Sequence, residues 1–293
     1  MHSAPLPWHA EWTYNPASTD GSARRPDLRE SEHMRLIFVA GMHRSGTSLV
    51  TELIHTMGAS VGDNLLEPAD DNPHGFFERH DVKRVNDILL SRLGGSWDRP
   101  PIGLSASWHD SGGLDRLRSS AEATINSLFD DAAGAETCVV KDPRFSLTAS
   151  FWNSVVVVDA TIVPLRDPRE VAQSLRHRNG MAPQRAAALW LRYTVDAVLE
   201  LPCPLIVPLN ELVSDPEVIV PRIAQVVGLE DGVENALAML RQRERNWKPT
   251  DGFAAISDDP TVRLASAVFS ILTSGQRLDA IAPMLESLAT EWR

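Results

Sequence analysis

Two short segments of the chain carry residue types that hold phosphate-like groups. The first is Gly41-Met-His-Arg-Ser-Gly-Thr-Ser48, with an arginine and three hydroxyls within five residues. A glycine, four residues, a second glycine and then hydroxyls let backbone N–H groups curl around phosphate oxygens at the positive end of a following helix. A nucleotide hydrolase or kinase places lysine after the second glycine, on the β/γ-phosphates, and the next hydroxyl on magnesium. Here Thr47 takes the lysine slot, and the cation, Arg44, lies inside the loop. No acidic strand end downstream resembles the metal ligand of that chemistry. The segment reads as a holder of a phosphate-like group, with His43, Arg44, Ser45, Gly46, Thr47 and Ser48 as its contacts. His43 has two readings, a contact to the bound group or a pocket filler.

The second segment is Arg166-Asp-Pro-Arg-Glu-Val-Ala-Gln-Ser174. Arg166 ends an apolar run, Pro168 suits the first turn of a helix, and Ser174 lies eight residues on, about two turns in. Arginine offers a phosphate a two-pronged fork and serine a compact donor. Taken alone, Asp167 as a helix cap with a local ion pair explains the segment as well.

A proton acceptor is to be sought in Asp70-Asp-Asn-Pro-His-Gly-Phe-Phe-Glu-Arg-His-Asp81. Glu78, beside Phe76 and Phe77, is the first candidate and His80 the second, with His74, Asp70 and Asp71 also open. The same run reads as a solvated acidic loop with Glu78 in the first turn of a helix. Lys141, after a short apolar run, is a second candidate cation or a structural ion-pair partner. Spacing for a catalytic metal and the Gly-x-Ser-x-Gly nucleophile elbow are both missing.

The elements that position these residues alternate. Residues 35–40 read as a buried parallel strand running into the first loop, and Leu49, Leu53, Ile54 and Met57 carry helical spacing. Residues 58–75 read as loop, 82–93 as helix, 94–113 as a Gly/Pro-rich structured loop and 114–130 as helix. Strands are predicted at 138–140 and 205–207 and in at least one of the runs Val155–Val158 and Ile162–Leu165, where Pro164 points to a strand end or edge. Helices are predicted after Pro168 and at about 184–200, 216–227, 232–245, 261–272 and 276–291. This is an α/β pattern, three layers α/β/α around a central parallel sheet.

Arg44-Ser-Gly-Thr-Ser48 after a strand, with Arg166 and Ser174 in the second segment, resembles the 5′-phosphosulfate loop and the 3′-phosphate site of the PAPS-dependent sulfotransferase family. The likeness spans about residues 35–215. Lys141-Asp-Pro-Arg144, Phe151-Trp152 and Trp190-Leu-Arg-Tyr193 are similar to bacterial and carbohydrate-type members. The resemblance implies a P-loop NTPase-like sulfotransferase fold. It also implies PAPS (3′-phosphoadenosine 5′-phosphosulfate) as co-substrate, 3′,5′-ADP as product, no metal, and a glycan or small-molecule hydroxyl as acceptor. It implies Arg44 and Lys141 as catalytic cations and Glu78 as general base, as in members acting on glycans or tyrosine, with His80 as alternative. The chain departs from cytosolic members at its C-terminal part, which lacks their Arg-Lys-Gly clasp. Arg241, Arg243, Arg245, Trp247 and Lys248 either replace it or line a solvated helix face. Trp97 and Trp108 read as stacking faces for an acceptor or as lid packing.

Composition bounds the rest. With 293 residues, 43% apolar, the chain is long enough for one α/β domain, and 28 basic against 39 acidic side chains leave a net charge of −11. That balance argues against nucleic acid and anionic membranes as partners but leaves a small anion open. Cys138 and Cys203 are too few for a disulfide framework or thiolate zinc site and are expected as two buried thiols. No apolar run approaches the ~18 residues of a membrane span. Residues 1–33, with four prolines and no apolar core, read as a mobile arm rather than a secretory signal. The expected folded unit is a single domain over 34–293 with a helical portion from about 216, in a cytoplasmic protein of open oligomeric state. An unusual P-loop kinase or NTPase and a non-catalytic nucleotide-binding module are the competing readings.

Overall fold

The computed structural model describes residues 34–69, 72, 75–105, 107–132, 134–244 and 259–293. The expected arm at 1–33 and the candidates Asp70, Asp71, His74, Arg245, Trp247 and Lys248 lie outside the described residues.

The chain runs β1 (Arg35–Val39), α1 (Thr47–Met57), α2 (His80–Arg92), α3 (Asp115–Asp131), β2 (Thr137–Lys141), α4 (Phe145–Val155), β3 (Ala160–Leu165), α5 (Pro168–Asn179) and α6 (Pro183–Glu200). It continues through β4 (Pro204–Pro208), α7 (Leu209–Ser214), α8 (Pro216–Val227), α9 (Val233–Glu244), α10 (Pro260–Leu272) and α11 (Leu278–Ala289). The four strands are all parallel, in the order β2-β1-β3-β4.

Helices cover both faces of the sheet, as a continuous apolar strand sequence requires. In β1, Leu36 and Phe38 join the core shared with α2, α3 and α4, while Ile37 and Val39 join the core shared with α1, α8 and α9. The expected three-layer α/β/α arrangement is thus present. Helices α8 and α9 lie against α1, whereas α10 and α11 lie against α6. Among the described residues no helix is long and apolar enough to cross a membrane.

Pro164 sits near the carboxyl end of an interior strand. Ile162, two residues earlier, accepts from Ala40 N at 3.1 Å, so Pro164 also faces β1. The β1–β3 ladder ends at Val39–Ile162, and the missing N–H costs no ladder bond. Helix α4 has no counterpart in the sequence reading. Eight of its eleven residues are buried, and the polar face left, Ser150, Asn153 and Ser154, is too short to reveal a helix. Cys203 corrects an expectation. Cys138 is buried, but Cys203 is exposed. It has φ 44° in the turn that leads into the outermost strand, beside a shallow cleft of about 230 Å³.

Candidate active site

Strand order decides where the site lies. β2 and β3 flank β1 on opposite sides, so the crevice beyond the carboxyl end of β1 is a topological switch point. The loop after β1, Lys141 at the end of β2 and Arg166 just past β3 all open onto that edge.

The loop from Gly41 to Gly46 turns through left-handed residues, with φ of 115° at Gly41, 70° at Arg44 and 89° at Gly46. Gly41 N donates to Ser146 Oγ at 3.0 Å, and Ser45 N donates to Met42 O at 3.2 Å. A Cβ on Gly46 would fall 2.7 Å from Leu209 Cδ1, so a side chain is excluded by space as well as by conformation. α1 begins here with no side-chain cap and no acidic residue in its first turn. Its N-terminal amides therefore present their partial positive charge to the loop. The hydroxyl of Ser45 is buried and has no hydrogen-bond partner.

The two phosphate-type segments meet. Arg44 Nε donates to Ser174 Oγ at 2.9 Å, across 130 residues of sequence, and Arg166 Nη1 donates to Arg44 O at 3.2 Å. Arg166 is steadied by Glu170 Oε2 at 2.7 Å and by Trp190 Nε1, which donates to Arg166 O at 2.9 Å. Asp167 caps α5, accepting from Arg169 N at 2.8 Å. The local cap and the long-range contact therefore coexist.

Glu78 is drawn inward by its own segment. Phe77, at φ 55°, occupies a left-handed conformation that costs a bulky residue about 1–2 kcal/mol. Arg79 is buried and paired at 2.9 Å with both Asp81 and Asp131. Between them Glu78 enters a cluster with Lys141, Asp142 and Arg144, none more than 6% exposed. Lys141 Nζ lies 2.6 Å from Glu78 Oε1 and donates to Phe76 O at 3.1 Å. Arg144 Nη1 lies 3.4 Å from Glu78 Oε2 and 2.9 Å from Asp142 Oδ1, and its Nε lies 2.9 Å from Asp87 Oδ1.

Burial by itself would raise the Glu78 carboxyl, but Lys141, with help from His43 and Arg144, holds it down to about 2. Asp142 goes the other way, because its complete burial outweighs the Arg144 guanidinium and raises its carboxyl.

His43 stands beside this cluster. Its ring is 4.8 Å from Trp97 and 5.6 Å from Tyr193, centroid to centroid. Nε2 is buried and has no hydrogen-bond partner. Burial, reinforced by Arg144 and Lys141, lowers the imidazole well below its ordinary value, with Glu78 opposing, so the ring is neutral near pH 7. Tyr193 Oη donates to Trp97 O at 2.8 Å and fixes the loop that carries Trp97.

The structure therefore gathers His43, Arg44, Ser45, Gly46, Thr47, Ser48, Glu78, Lys141, Arg166 and Ser174 at one sheet edge. Asn72 is tied to the loop, its Nδ2 donating to Ser48 Oγ at 3.2 Å. Other candidates are not gathered. His80 is exposed on the first turn of α2, its amide bound to Asn64 O. Trp108 packs into the core under α3 and α4, away from Trp97. Arg241 pairs with Glu217 on α8 and Arg243 with Glu52 on α1, so these arginines brace helices. Arg144 and Tyr193 were missed as site residues although both lie in the quoted motifs. The available signal was the repeat of a cation followed by Asp-Pro-Arg at 141–144 and 166–169. Among the described residues no group of three or more His, Cys, Asp or Glu is placed to hold a metal ion.

No protein-family model and no curated protein matches the chain. Several solved structures resemble it, two of them sulfotransferases. One is the sulfotransferase domain of the olefin synthase from Synechococcus PCC 7002, at 16% identity and a TM-score of 0.45, covering 84% of this chain and 97% of that one. The other is the sulfotransferase STF1 from Mycobacterium tuberculosis H37Rv, at 14% identity and a TM-score of 0.43, covering 81% and 76%.

Proposed function

We propose that the protein moves a sulfuryl group from 3′-phosphoadenosine 5′-phosphosulfate to a hydroxyl of a small-molecule or carbohydrate acceptor and releases 3′,5′-ADP. The observation that carries this reading is the contact between Arg44 and Ser174, with Arg166 on the Arg44 carbonyl. Two anion-holding motifs side by side suit a nucleotide with phosphates at both its 5′ and 3′ positions. An ordinary nucleoside triphosphate has no use for the second. In this reading Arg44 and the amides at the start of α1 hold the 5′ end, and Arg166 and Ser174 hold the 3′-phosphate.

Sulfuryl transfer resembles phosphoryl transfer in needing little covalent help. Positioning and stabilisation of charge on the leaving phosphate do most of the work. Arg44 supplies one cation. Lys141, held on Glu78 at 2.6 Å, supplies a second, which in this reading turns from Glu78 to the leaving group when the donor binds. Glu78, with both carboxylate oxygens committed and its carboxyl near 2, serves here chiefly to hold Lys141 in place.

Calorimetry with 3′,5′-ADP tests the reading. Binding in the micromolar range is expected, and no binding at high micromolar concentration would overturn it. Arg166→Ala should weaken 3′,5′-ADP binding by about 10- to 100-fold, the scale of a charge-assisted contact. Binding of adenosine 5′-phosphate should barely change. Magnesium-dependent ATP hydrolysis would favour the kinase or NTPase reading instead. A labelled-sulfate screen over glycan, phenol and lipid hydroxyls then identifies the acceptor.

A further inference from the structure

We propose that the side chain that accepts the acceptor's proton is His43, inside the phosphate loop, and that Glu78 acts on it through charge alone. This assignment rests on the sulfuryl-transfer reading above and refines it.

A general base needs a lone pair that no neighbour already holds, within reach of the reacting atoms. Three side chains among the described residues are candidates. His80 is exposed on the first turn of α2, outside the cluster. Glu78 is inside, but Lys141 occupies one oxygen at 2.6 Å and Arg144 lies 3.4 Å from the other. His43 is the third. Its Nε2 is buried and has no hydrogen-bond partner, an expensive state for a polar atom in a folded interior. Most buried polar atoms find a partner, so an orphaned nitrogen in the loop next to Arg44 fits a partner that arrives with the substrate.

The surroundings fit a base that starts neutral. Arg144, Lys141 and Arg178 all disfavour imidazolium, and Glu78 alone favours it. The first consequence is that the ring is unprotonated near pH 7. The second is that an anionic donor in the loop, drawing Lys141 towards itself, restores the ring's appetite for a proton at the moment of transfer. Trp97 covers the ring from a loop held to α6 by Tyr193 Oη on Trp97 O, by Arg185 on Asp98 and by Arg192 on Pro101 O. Displacement of the Trp97 ring opens Nε2 to the acceptor.

The step balances. As the acceptor oxygen bonds to sulfur, its proton passes to Nε2, with the other ring nitrogen carrying the hydrogen of the neutral form. The sulfur–oxygen bond to the leaving phosphate breaks, and its electron pair stays on the phosphate oxygen. Glu78 then faces an imidazolium, and release of that proton to solvent resets the ring.

The test follows sulfur-labelled PAPS, with water, 2-naphthol and octyl glucoside as acceptors, in wild type, His43→Gln, His43→Ala and Glu78→Gln. Calorimetry with 3′,5′-ADP and a thermal melt establish that each variant folds and binds nucleotide. Both His43 variants should lose about 100-fold or more in kcat, the usual contribution of a positioned base, well beyond any change in their 3′,5′-ADP affinity. Added imidazole should partly restore His43→Ala, in proportion to its unprotonated fraction, which a merely structural role would not allow. Glu78→Gln should keep the acid limb of the kcat–pH profile but move it to lower pH, because the one charge favouring imidazolium is gone. His43→Gln with kcat within threefold of wild type, or an unrescued His43→Ala beside a Glu78→Gln variant that has lost the acid limb, overturns the assignment while leaving the sulfuryl-transfer reading intact. Wild-type protein that binds no 3′,5′-ADP overturns both.

Discussion

Asp142-Pro-Arg144 and Asp167-Pro-Arg169 are the same tripeptide, each preceded by a cation, each following a strand and each leading into a helix. Their local contacts are alike, although α5 begins at the proline itself and α4 only after the arginine. In both, the aspartate accepts from the amide of the arginine at 2.8 Å and pairs with its guanidinium. They differ in depth. The Arg144 and Asp142 side chains are 6% and 0% exposed, whereas those of Arg169 and Asp167 are 41% and 20% exposed. One motif thus makes one turn twice. Depth decides whether the charges become part of a buried site or remain a helix cap in water.

The largest difference between the junctions should appear on removal of the arginines. Arg144→Met leaves Asp142 and Glu78 with buried negative charge and should cost about 3–5 kcal/mol in urea denaturation. Arg169→Met removes a surface pair and should cost no more than about 1 kcal/mol, falling with added salt. Equal losses would refute the distinction by depth.

The next effect is pH-dependent and confined to the inner site. Glu78 is depressed from its ordinary 4.5 to about 2 in the folded protein. Its contribution to stability is therefore complete above about pH 4.5 and disappears as pH falls towards 2. Glu78→Gln should be destabilised relative to wild type at neutral pH, and the gap should narrow across that window. A gap that stays constant from pH 6 to pH 3 would show that Lys141 does not depend on the charge of Glu78. The smallest effect belongs to the outer junction. Asp167→Ala removes the cap of α5 and should cost about 1 kcal/mol by thermal melting, with the inner cluster unaffected. Asp167→Asn, which keeps the cap, should restore most of it.

Much of the fold was legible because local rules were obeyed. The apolar run before Gly41, the proline opening α5 and the helical spacing of 216–227 each have one good solution, and the elements formed there. The rules failed where burial was almost total. α4 shows only a short wet face at Ser150, Asn153 and Ser154, and of the two apolar runs Ile162–Leu165 forms the expected strand while Val155–Val158 is the end of α4 and the loop after it. Cys203 was misjudged because exposure of a small side chain in a turn depends on what packs around the turn. At the site, Arg44, Arg166 and Ser174 were readable from type and spacing. Which atoms of Glu78, His80 and His43 are left without a partner was not, since that depends on how distant segments pack.

By itself the sequence determined that two segments rich in arginine and hydroxyls follow two strands and that neither carries the lysine of a triphosphate loop. Those are properties of short runs, fixed by glycine conformation, helix starts and side-chain chemistry within a few residues. Only the tertiary structure decided that the two segments touch, because a strand order of β2-β1-β3-β4 brings residues 130 apart to one crevice. The tertiary structure also decided which charges are paired. Glu78 and Lys141, 63 residues apart, become a buried couple through the packing of three separate elements, and the same packing leaves the His43 nitrogen without a partner.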